Sequence, residues 1–242
     1  METETAWRRL GEAGRNEVRA LARRWDCEAA AILAVVEVES GGAVFAEVGG
    51  QAEPLIRFEG HYFHQRLDGE ALARAETAGL ADPEPQAVPN PPDQAARWAM
   101  LARAETIDRM AARESCSWGL GQVMGAHWRR LGYASVDALV EDARRGADGQ
   151  IALVARFIED AGLETALRGR DWERFARIYN GPRYAERGYH EKLAAAYRGS
   201  RALDLGEPDA DPYVATGAPR PPFGPVAWAV GALQWFGGWL RR

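Results

Sequence analysis

The chain has 242 residues, of which 47% are hydrophobic and 27% are charged, a composition typical of a globular protein rather than a disordered one. Its formal net charge of -5 argues against nucleic-acid binding through a basic surface. Because its only cysteines are Cys27 and Cys116, the chain is neither a disulfide scaffold nor a cysteine-rich zinc protein. The two cysteines could pair in an oxidising compartment, but free buried thiols are the expectation.

The sequence begins METETAWRRLGEAGRNEV, with no apolar run behind its charged residues. This pattern predicts no secretory signal peptide. We therefore expect the protein to be made in the cytoplasm unless another route exports it.

The stretch Ala29–Gly42 is predicted to be a buried helix that carries a carboxylate at its end. Asp26 is a suitable N-cap, Ala29–Val36 is entirely apolar, and Gly41–Gly42 supplies the stop. Glu39 continues the apolar stripe, where lost hydration and the negative end of the helix dipole both favour its protonated form. A general acid needs this form at neutral pH, but an ordinary surface glutamate at a fraying helix end is the alternative.

Further elements follow from apolar spacing and from turn residues. The proline-rich Ala81–Pro92 must be a loop, after which Asp93 can cap a helix that runs to about Arg113. A short strand is predicted over Leu55–Phe58. Helical spacing predicts the other helices, Glu4–Arg24, a helix starting over His61–Arg66, Val136–Arg145, Gln150–Ala161, Trp172–Tyr179 and Tyr184–Arg198. The fold is therefore predicted to be mainly α (α+β), with at most a small β-sheet.

The sequence predicts three parts, a domain over residues 1–198, a Pro/Asp/Gly-rich linker over residues 199–222 and an apolar segment over residues 223–242. In Phe223–Leu240 the one polar residue is Gln234. At about 1.5 Å per residue, a helix of this length barely crosses a bilayer core. A membrane anchor, a helix lying at the membrane surface and a segment folded back on the domain all stay open, and we expect membrane contact of some kind.

Three blocks of residues occur in a fixed order, Glu39–Gly42, Gly119–Met124 and Ala176–Gly181. They resemble the Glu-Ser, Gly-Leu-x-Gln and Tyr-Asn-Gly blocks of the lysozyme-like superfamily, which includes soluble lytic transglycosylases and goose-type lysozymes. Two further blocks, Arg57–Phe63 and Ser117–Gln122, resemble the phage-endolysin N-acetylmuramidase branch of that superfamily. The resemblance covers roughly residues 29–198 and implies a lysozyme-like helical domain.

By this resemblance, Glu39 matches the catalytic glutamate of the family. It would protonate the glycosidic oxygen between N-acetylmuramic acid and N-acetylglucosamine while the sugar develops oxocarbenium character. The resemblance also implies that Tyr179 sits beside Glu39 and that Asn180 lines the substrate groove. The alternative for these two residues is an Asn-Gly turn after a buried tyrosine, without contact to a groove.

The Gly119–Gln122 block is expected to contact substrate. Without side chains, Gly119 and Gly121 would let the backbone around Leu120 approach a sugar, and Gln122 could hydrogen-bond an N-acetyl group. A plain tight turn is the alternative. Trp118 could stack on a pyranose face or fill the core, and the sequence does not decide between these two roles.

Glu59 is the second candidate for catalysis. An inverting hydrolase needs a base that activates water, whereas a lytic transglycosylase uses the 6-hydroxyl of the sugar itself. Glu59 could supply that base, or it could pair with Arg57 or His61. Glu114 is a lesser candidate for this role, and Asp108 a weaker one still.

His61 and His64 lie three residues apart near Glu59, a spacing that suggests a metal site. A catalytic zinc normally has three protein ligands, and neither His127 nor His190 falls in a metal motif. We therefore predict no metal and no cofactor, and assign His61 to the groove.

These observations predict a peptidoglycan muramidase that acts on glycan strands of the cell wall in the periplasm and binds no nucleic acid. A lytic transglycosylase that uses the same Glu39 is the nearest alternative. A peptidoglycan-binding module without catalysis is the alternative from another class of protein.

Overall fold

The structure is a computed structural model that describes residues 5–203 and residue 205. Over these residues the α-helices are α1 (Ala6–Arg9), α2 (Gly11–Trp25), α3 (Ala29–Ser40), α4 (Gly60–Arg66), α5 (Gly69–Thr77), α6 (Gln94–Glu105), α7 (Arg109–Glu114), α8 (Val136–Arg145), α9 (Ala147–Asp160), α10 (Glu164–Gly169), α11 (Trp172–Tyr179) and α12 (Tyr189–Arg201). The strands are β1 (Phe45–Val48), β2 (Gln51–Pro54), β3 (Ile56–Phe58), β4 (Cys116–Trp118) and β5 (Val123–Met124). This architecture confirms the predicted mainly helical fold with small sheets.

The strands form two small antiparallel sheets. Strands β1 and β2 form a hairpin, and the second sheet has the order β3–β4–β5. In the second sheet Ile56 pairs with Trp118, and Ser117 pairs with both Arg57 and Met124. This register joins the Arg57–Phe63 and Ser117–Gln122 blocks, which are distant in the sequence.

Several predicted element boundaries are confirmed, and others are wrong. Helices α8 and α11 have the predicted bounds, and Asp93 caps α6 by accepting a hydrogen bond from the Ala96 N–H at 2.8 Å. The helix predicted to run to Arg113 is interrupted after Glu105, and Asp108 caps a separate helix, α7. The side chain of Asp108 is therefore used to satisfy a helix end.

The prediction that Asp26 caps the helix of Glu39 is wrong. Asp26 has a left-handed backbone with φ of 51° and ends α2, whereas Glu28 precedes α3 in an extended conformation. Aspartate tolerates this left-handed conformation better than most residues, which makes the tight α2–α3 connection accessible. The last helix also differs, because it starts at Tyr189 after turns that use Gly181 and Gly188 at positive φ, and it ends at Arg201.

Helix α3 is buried on all its sides over most of its length. Residues Ala30–Val36 are each at most 3% exposed. The helix packs against α12, α2, α1 and α10, which explains why its sequence is continuously apolar rather than amphipathic. Its C-terminal end, which carries Glu39, is thus fixed by packing over seven preceding residues.

The buried residues form two hydrophobic clusters. The helical cluster contains apolar side chains of α1–α3 and α9–α12, and the sheet cluster contains those of β3–β5 and α4–α8 together with Leu153 of α9. Trp118 belongs to the sheet cluster, and Leu120, two residues later, belongs to the helical cluster. The Gly119–Gly121 turn therefore lies where the two clusters meet.

Cys27 and Cys116 are both free thiols. None of the helices that the structure describes has the length and apolar character needed to cross a membrane. The predicted linker beyond Leu205 and the apolar segment Phe223–Leu240 lie outside the described residues.

Candidate active site

Glu39 lies in the last turn of α3, which Gly41 ends in a left-handed conformation with φ of 60°. The side chain is partly buried, and its Oε1 accepts a hydrogen bond of 2.7 Å from the Asn180 Nδ2. Burial raises the pKa of Glu39 to about 7, against a smaller lowering by the Asn180 hydrogen bond. A carboxyl group with this pKa carries a proton that it can donate near neutral pH.

Helix α11 and the residue after it supply the two groups that face Glu39. The backbone N–H of Asn180 donates to the Ala176 carbonyl at 2.8 Å, which fixes the end of α11. The Tyr179 hydroxyl donates to the Gly121 carbonyl at 2.8 Å. Burial, and secondarily the charge of Glu39, hold the pKa of Tyr179 well above its ordinary value, so this hydroxyl stays protonated. The structure thus brings Glu39, Tyr179, Asn180 and Gly121 together.

The Asn180 side chain also presents an unused acceptor. Its Oδ1 is buried, and no group among the described residues donates a hydrogen bond to it. A buried acceptor without a donor is costly, so the position favours a donor from the neighbouring Glu39 in its protonated form.

The glycines of the Gly119–Gln122 block are required by packing. A Cβ at Gly119, where φ is 65°, would lie 2.9 Å from the Gln150 Oε1. A Cβ at Gly121 would overlap the Val154 side chain and lie 2.8 Å from the Tyr179 hydroxyl oxygen. The space beside both glycines is therefore filled by this protein's own side chains, which matches the tight-turn alternative.

Gln122 is held within the same turn, in a left-handed conformation with φ of 48°. Its Nε2 donates to the carbonyls of Gly119 at 2.9 Å and Leu55 at 3.3 Å, and its Oε1 accepts from the Ser117 hydroxyl at 3.0 Å. The amide that was expected to reach an N-acetyl group thus braces the turn against the second sheet.

The side chains of Trp118 and Leu120 cannot contact a sugar in this structure. Trp118 is 1% exposed, and its indole N–H donates to the Arg113 carbonyl at 3.1 Å. Leu120 is fully buried. The stacking role considered for Trp118 is wrong, because packing in the sheet cluster leaves no ring face open, and Leu120 could contact substrate only through its backbone.

Glu59 lies at the start of α4 and is paired. Its Oε1 accepts a hydrogen bond of 2.8 Å from the Arg57 Nε, and its Oε2 lies 3.7 Å from the His61 Nδ1, beyond hydrogen-bond reach. Burial lowers the pKa of His61, so the imidazole is neutral near pH 7. The ion pair with Arg57 is the structural alternative considered for Glu59, although 20% of its side chain stays exposed.

The lesser candidate Glu114 serves the structure. Its Oε1 accepts a hydrogen bond from the Trp128 indole N–H at 2.7 Å, and its Oε2 accepts one from the Arg66 Nε at 3.1 Å. Both oxygens are therefore occupied by neighbouring side chains.

A row of aromatic rings that the sequence analysis did not identify leads away from Glu39. The ring of Tyr179 lies 5.0 Å from that of Phe157, which lies 5.5 Å from His127. All three side chains are partly buried, and burial lowers the pKa of His127 to about 3, so it is neutral. Phe157 and His127 belong to no motif, so only the tertiary structure reveals the row.

The two histidines considered for a metal site, His61 and His64, both lie within the described residues 5–203 and 205. Within this part of the chain, no group of three His, Cys, Asp or Glu side chains could hold a metal ion. His61 lies near Glu59, whereas the His64 Nε2 lies 3.3 Å from the Glu76 carboxylate.

The helical body with its small antiparallel sheets defines a protein of the lysozyme-like class. Residues 28–201 match the family model of the N-acetylmuramidases. The structure is similar to the crystal structure of the Burkholderia AP3 phage endolysin, with a TM-score of 0.66 and 33% sequence identity over 78% of this chain and 71% of that chain. None of the curated proteins compared with the chain matches it.

The chain belongs to the N-acetylmuramidase family, since the family model covers well over half of its residues. The family and the endolysin match together identify a peptidoglycan-cleaving enzyme that acts on the cell wall.

Proposed function

We propose that the protein is an N-acetylmuramidase that hydrolyses the β-1,4 bond between N-acetylmuramic acid and N-acetylglucosamine, with Glu39 as the general acid. The observation that carries this proposal is the environment of the Glu39 carboxyl, whose pKa is raised to about 7 by burial and which is hydrogen-bonded by Asn180. A glycosidase acid must hold its proton near neutral pH and lie in a fixed orientation. This carboxyl meets both requirements.

In this mechanism Glu39 donates its proton to the glycosidic oxygen as the bond to the anomeric carbon breaks. The sugar develops oxocarbenium character, and the leaving hydroxyl departs neutral. Asn180 donates to Oε1 and so orients the carboxyl. The contacts of His61, Tyr179 and Asn180 with substrate belong to the same proposal, whereas the Gln122 amide stays engaged within the turn.

The water-activating base is assigned to Glu59. Its partial exposure gives water access to the carboxylate, and the Arg57 Nε, which donates to its Oε1 at 2.8 Å, orients the group. The same ion pair is also the specific observation that favours a second candidate function, because one oxygen of the carboxylate is already engaged by Arg57. A lytic transglycosylase needs no such base, since the 6-hydroxyl of the muramic acid attacks instead.

Mass spectrometry of the fragments released from purified peptidoglycan tests these proposals. Wild type is compared with Glu39→Gln, with Glu59→Gln, and with Glu37→Gln as a control for an exposed carboxylate on the same helix. Reducing N-acetylmuramic acid ends, present with Glu37→Gln and absent with Glu39→Gln, support the hydrolase. Anhydro-muramic ends indicate the transglycosylase and remove the need for Glu59.

Two outcomes contradict the proposal for Glu39. Full turnover by Glu39→Gln would exclude it as the acid. The absence of any released fragment from wild type would favour a binding module, and retained glycan binding by wild type would then be expected.

A further inference from the structure

Gln150 is a buried polar residue that the proposed mechanism does not use. It lies in the first turns of α9 and is 1% exposed. Its Oε1 accepts a hydrogen bond of 2.9 Å from the Leu120 N–H, and its Nε2 donates to the carbonyls of Val44 at 2.9 Å and Ala143 at 3.0 Å. Both ends of one amide are thus fully engaged with backbone groups.

The partners of this amide belong to separate parts of the fold. Val44 lies two residues after Gly42, in the segment that leaves the Glu39 helix, and Ala143 lies in α8. Leu120 is the centre of the Gly119–Gly121 turn, where the two hydrophobic clusters meet. One side chain therefore joins the segment after α3 to the turn that faces it.

The Gly119–Gly121 turn also holds the Tyr179 side chain beside Glu39. The Gly121 carbonyl accepts the Tyr179 hydroxyl at 2.8 Å, and Tyr179 is close enough to Glu39 for the charge of that carboxyl to raise the tyrosine pKa. At the other end of the turn, Gly119 lies so close to Gln150 that an added Cβ would lie 2.9 Å from Oε1. A displacement of the Gln150 amide would therefore be passed along the turn to Tyr179.

We propose that Gln150 is a positioning residue that sets the distance between the segment after α3 and the Gly119–Gly121 turn, and so keeps Tyr179 packed beside Glu39. The inference rests on the proposed role of Glu39 as general acid. Gln150 acts through Leu120, Gly121 and Tyr179 and touches no substrate. Loss of its hydrogen bonds loosens the wall beside Glu39 and admits water to the carboxyl.

The expected signature is a change in the pH dependence of turnover. Activity that needs a protonated Glu39 falls as pH rises through its pKa, which burial sets at about 7. Hydration of the carboxyl lowers that pKa, so the alkaline limb of the profile moves to lower pH. Of the groups near this helix end, Tyr179 stays protonated because burial holds its pKa well above the ordinary value, and Arg9 of α1 donates to the Gly41 carbonyl at 3.1 Å. The packed helix α12 contributes His190 as a further titratable residue.

The test is a pH profile of kcat and KM for the full chain on soluble glycan-strand fragments. Gln150→Met keeps the volume and removes all three hydrogen bonds, and Gln150→Asn keeps the amide on a shorter stem, for use if the first variant does not fold. We expect kcat to fall roughly 10- to 100-fold with little change in KM. We also expect the alkaline limb to move down by about half a pH unit or more.

Leu139→Ala is the matched control, because Leu139 is fully buried in the sheet cluster and its truncation costs stability without touching the turn. An alkaline limb that stays in place in both Gln150 variants, as in the control, would overturn the inference and leave Gln150 a structural residue. Glu39→Gln separates this failure from that of the proposed function. If Glu39→Gln keeps wild-type turnover, the proposed function fails whatever the Gln150 variants show.

Discussion

The carboxyl group of Glu39 is held in an environment that opposes its ionisation. Its helix is buried along the preceding residues Ala30–Val36, and the Asn180 amide is the hydrogen-bond partner that partly compensates. Native structures retain such unfavourable groups where the surrounding packing is strong enough to hold them. At the scale of the residue, this cost to folding is also what gives Glu39 the properties of an acid.

Replacement of this carboxyl is expected to stabilise the protein at high pH. The native pKa of about 7 lies above the ordinary value of 4.5. The contribution of Glu39 to the free energy of unfolding is therefore fully present below pH 4.5 and is lost as pH rises through 7. Glu39→Gln keeps an acceptor for Asn180 and has no charge to lose. Urea unfolding should show the variant more stable than wild type by up to about 3 kcal/mol near pH 8.5, and close to wild type near pH 4.5.

Glu37→Gln is the control for this measurement, because Glu37 is exposed on the same helix and should show little difference at either pH. An advantage of Glu39→Gln that is the same at both pH values would contradict the expected linkage.

Removal of the Asn180 amide should move the pH profile in the direction opposite to the Gln150 variants. The hydrogen bond of this amide lowers the pKa of Glu39, so Asn180→Ala raises it and shifts the alkaline limb of turnover to higher pH. We also expect kcat to fall roughly 10-fold, because the carboxyl is no longer oriented. Asn16→Ala on α2 serves as the control, and a limb that moves to lower pH would refute the prediction.

At the scale of the element, the Gly119–Gly121 turn connects the two hydrophobic clusters. Trp118 anchors it to the sheet cluster, Leu120 anchors it to the helical cluster, and Gln122 closes it with hydrogen bonds to Gly119 and Leu55. The glycines make this possible because neighbouring side chains leave no room for a Cβ. The block is recognisable in the sequence, but the reason for its glycines is a contact between distant elements.

The same glycine-to-alanine change should have opposite effects at two positions. Gly121→Ala introduces a Cβ that overlaps Val154 and crowds the Tyr179 hydroxyl. We therefore expect the free energy of unfolding to fall by about 1 to 3 kcal/mol, together with reduced turnover. Gly199→Ala lies within α12, where the new Cβ meets no atom within 4 Å. We therefore expect the free energy of unfolding to rise by about 0.5 to 1 kcal/mol. Urea denaturation of both variants measures the two effects, and a neutral Gly121→Ala would show that the turn can relax.

At the scale of the whole molecule, the described residues form the peptidoglycan-cleaving enzyme, and the C-terminal segment stays a prediction from sequence. Phe223–Leu240 has tryptophans and small residues in a stretch with one polar side chain, a composition from which we predict membrane contact of some kind. Its role in membrane contact is a separate hypothesis from the role of Glu39.

Truncation after Pro222 should abolish association with liposomes, because it removes the whole apolar segment. Release of fragments from purified peptidoglycan should stay near the wild-type level, since the residues matched by the family model are retained. Co-sedimentation with vesicles that contain anionic lipid measures the first effect. Liposome association that is unchanged in the truncated protein would exclude membrane contact through this segment.

The sequence by itself determined the helical class, the buried helix that carries Glu39, the loop at Ala81–Pro92 and the family blocks, because these features depend on local spacing and on residue type. Only the tertiary structure decided which members of those blocks are open to a ligand. Burial of Trp118 and placement of Asn180 on Glu39 arise from contacts between residues far apart in the chain. The pairing of Glu59 with Arg57 is local, and the sequence offered it as one of two alternatives. Gln150, Phe157 and His127 carried no local signal, since the function of a single polar or aromatic side chain depends on what packing places next to it.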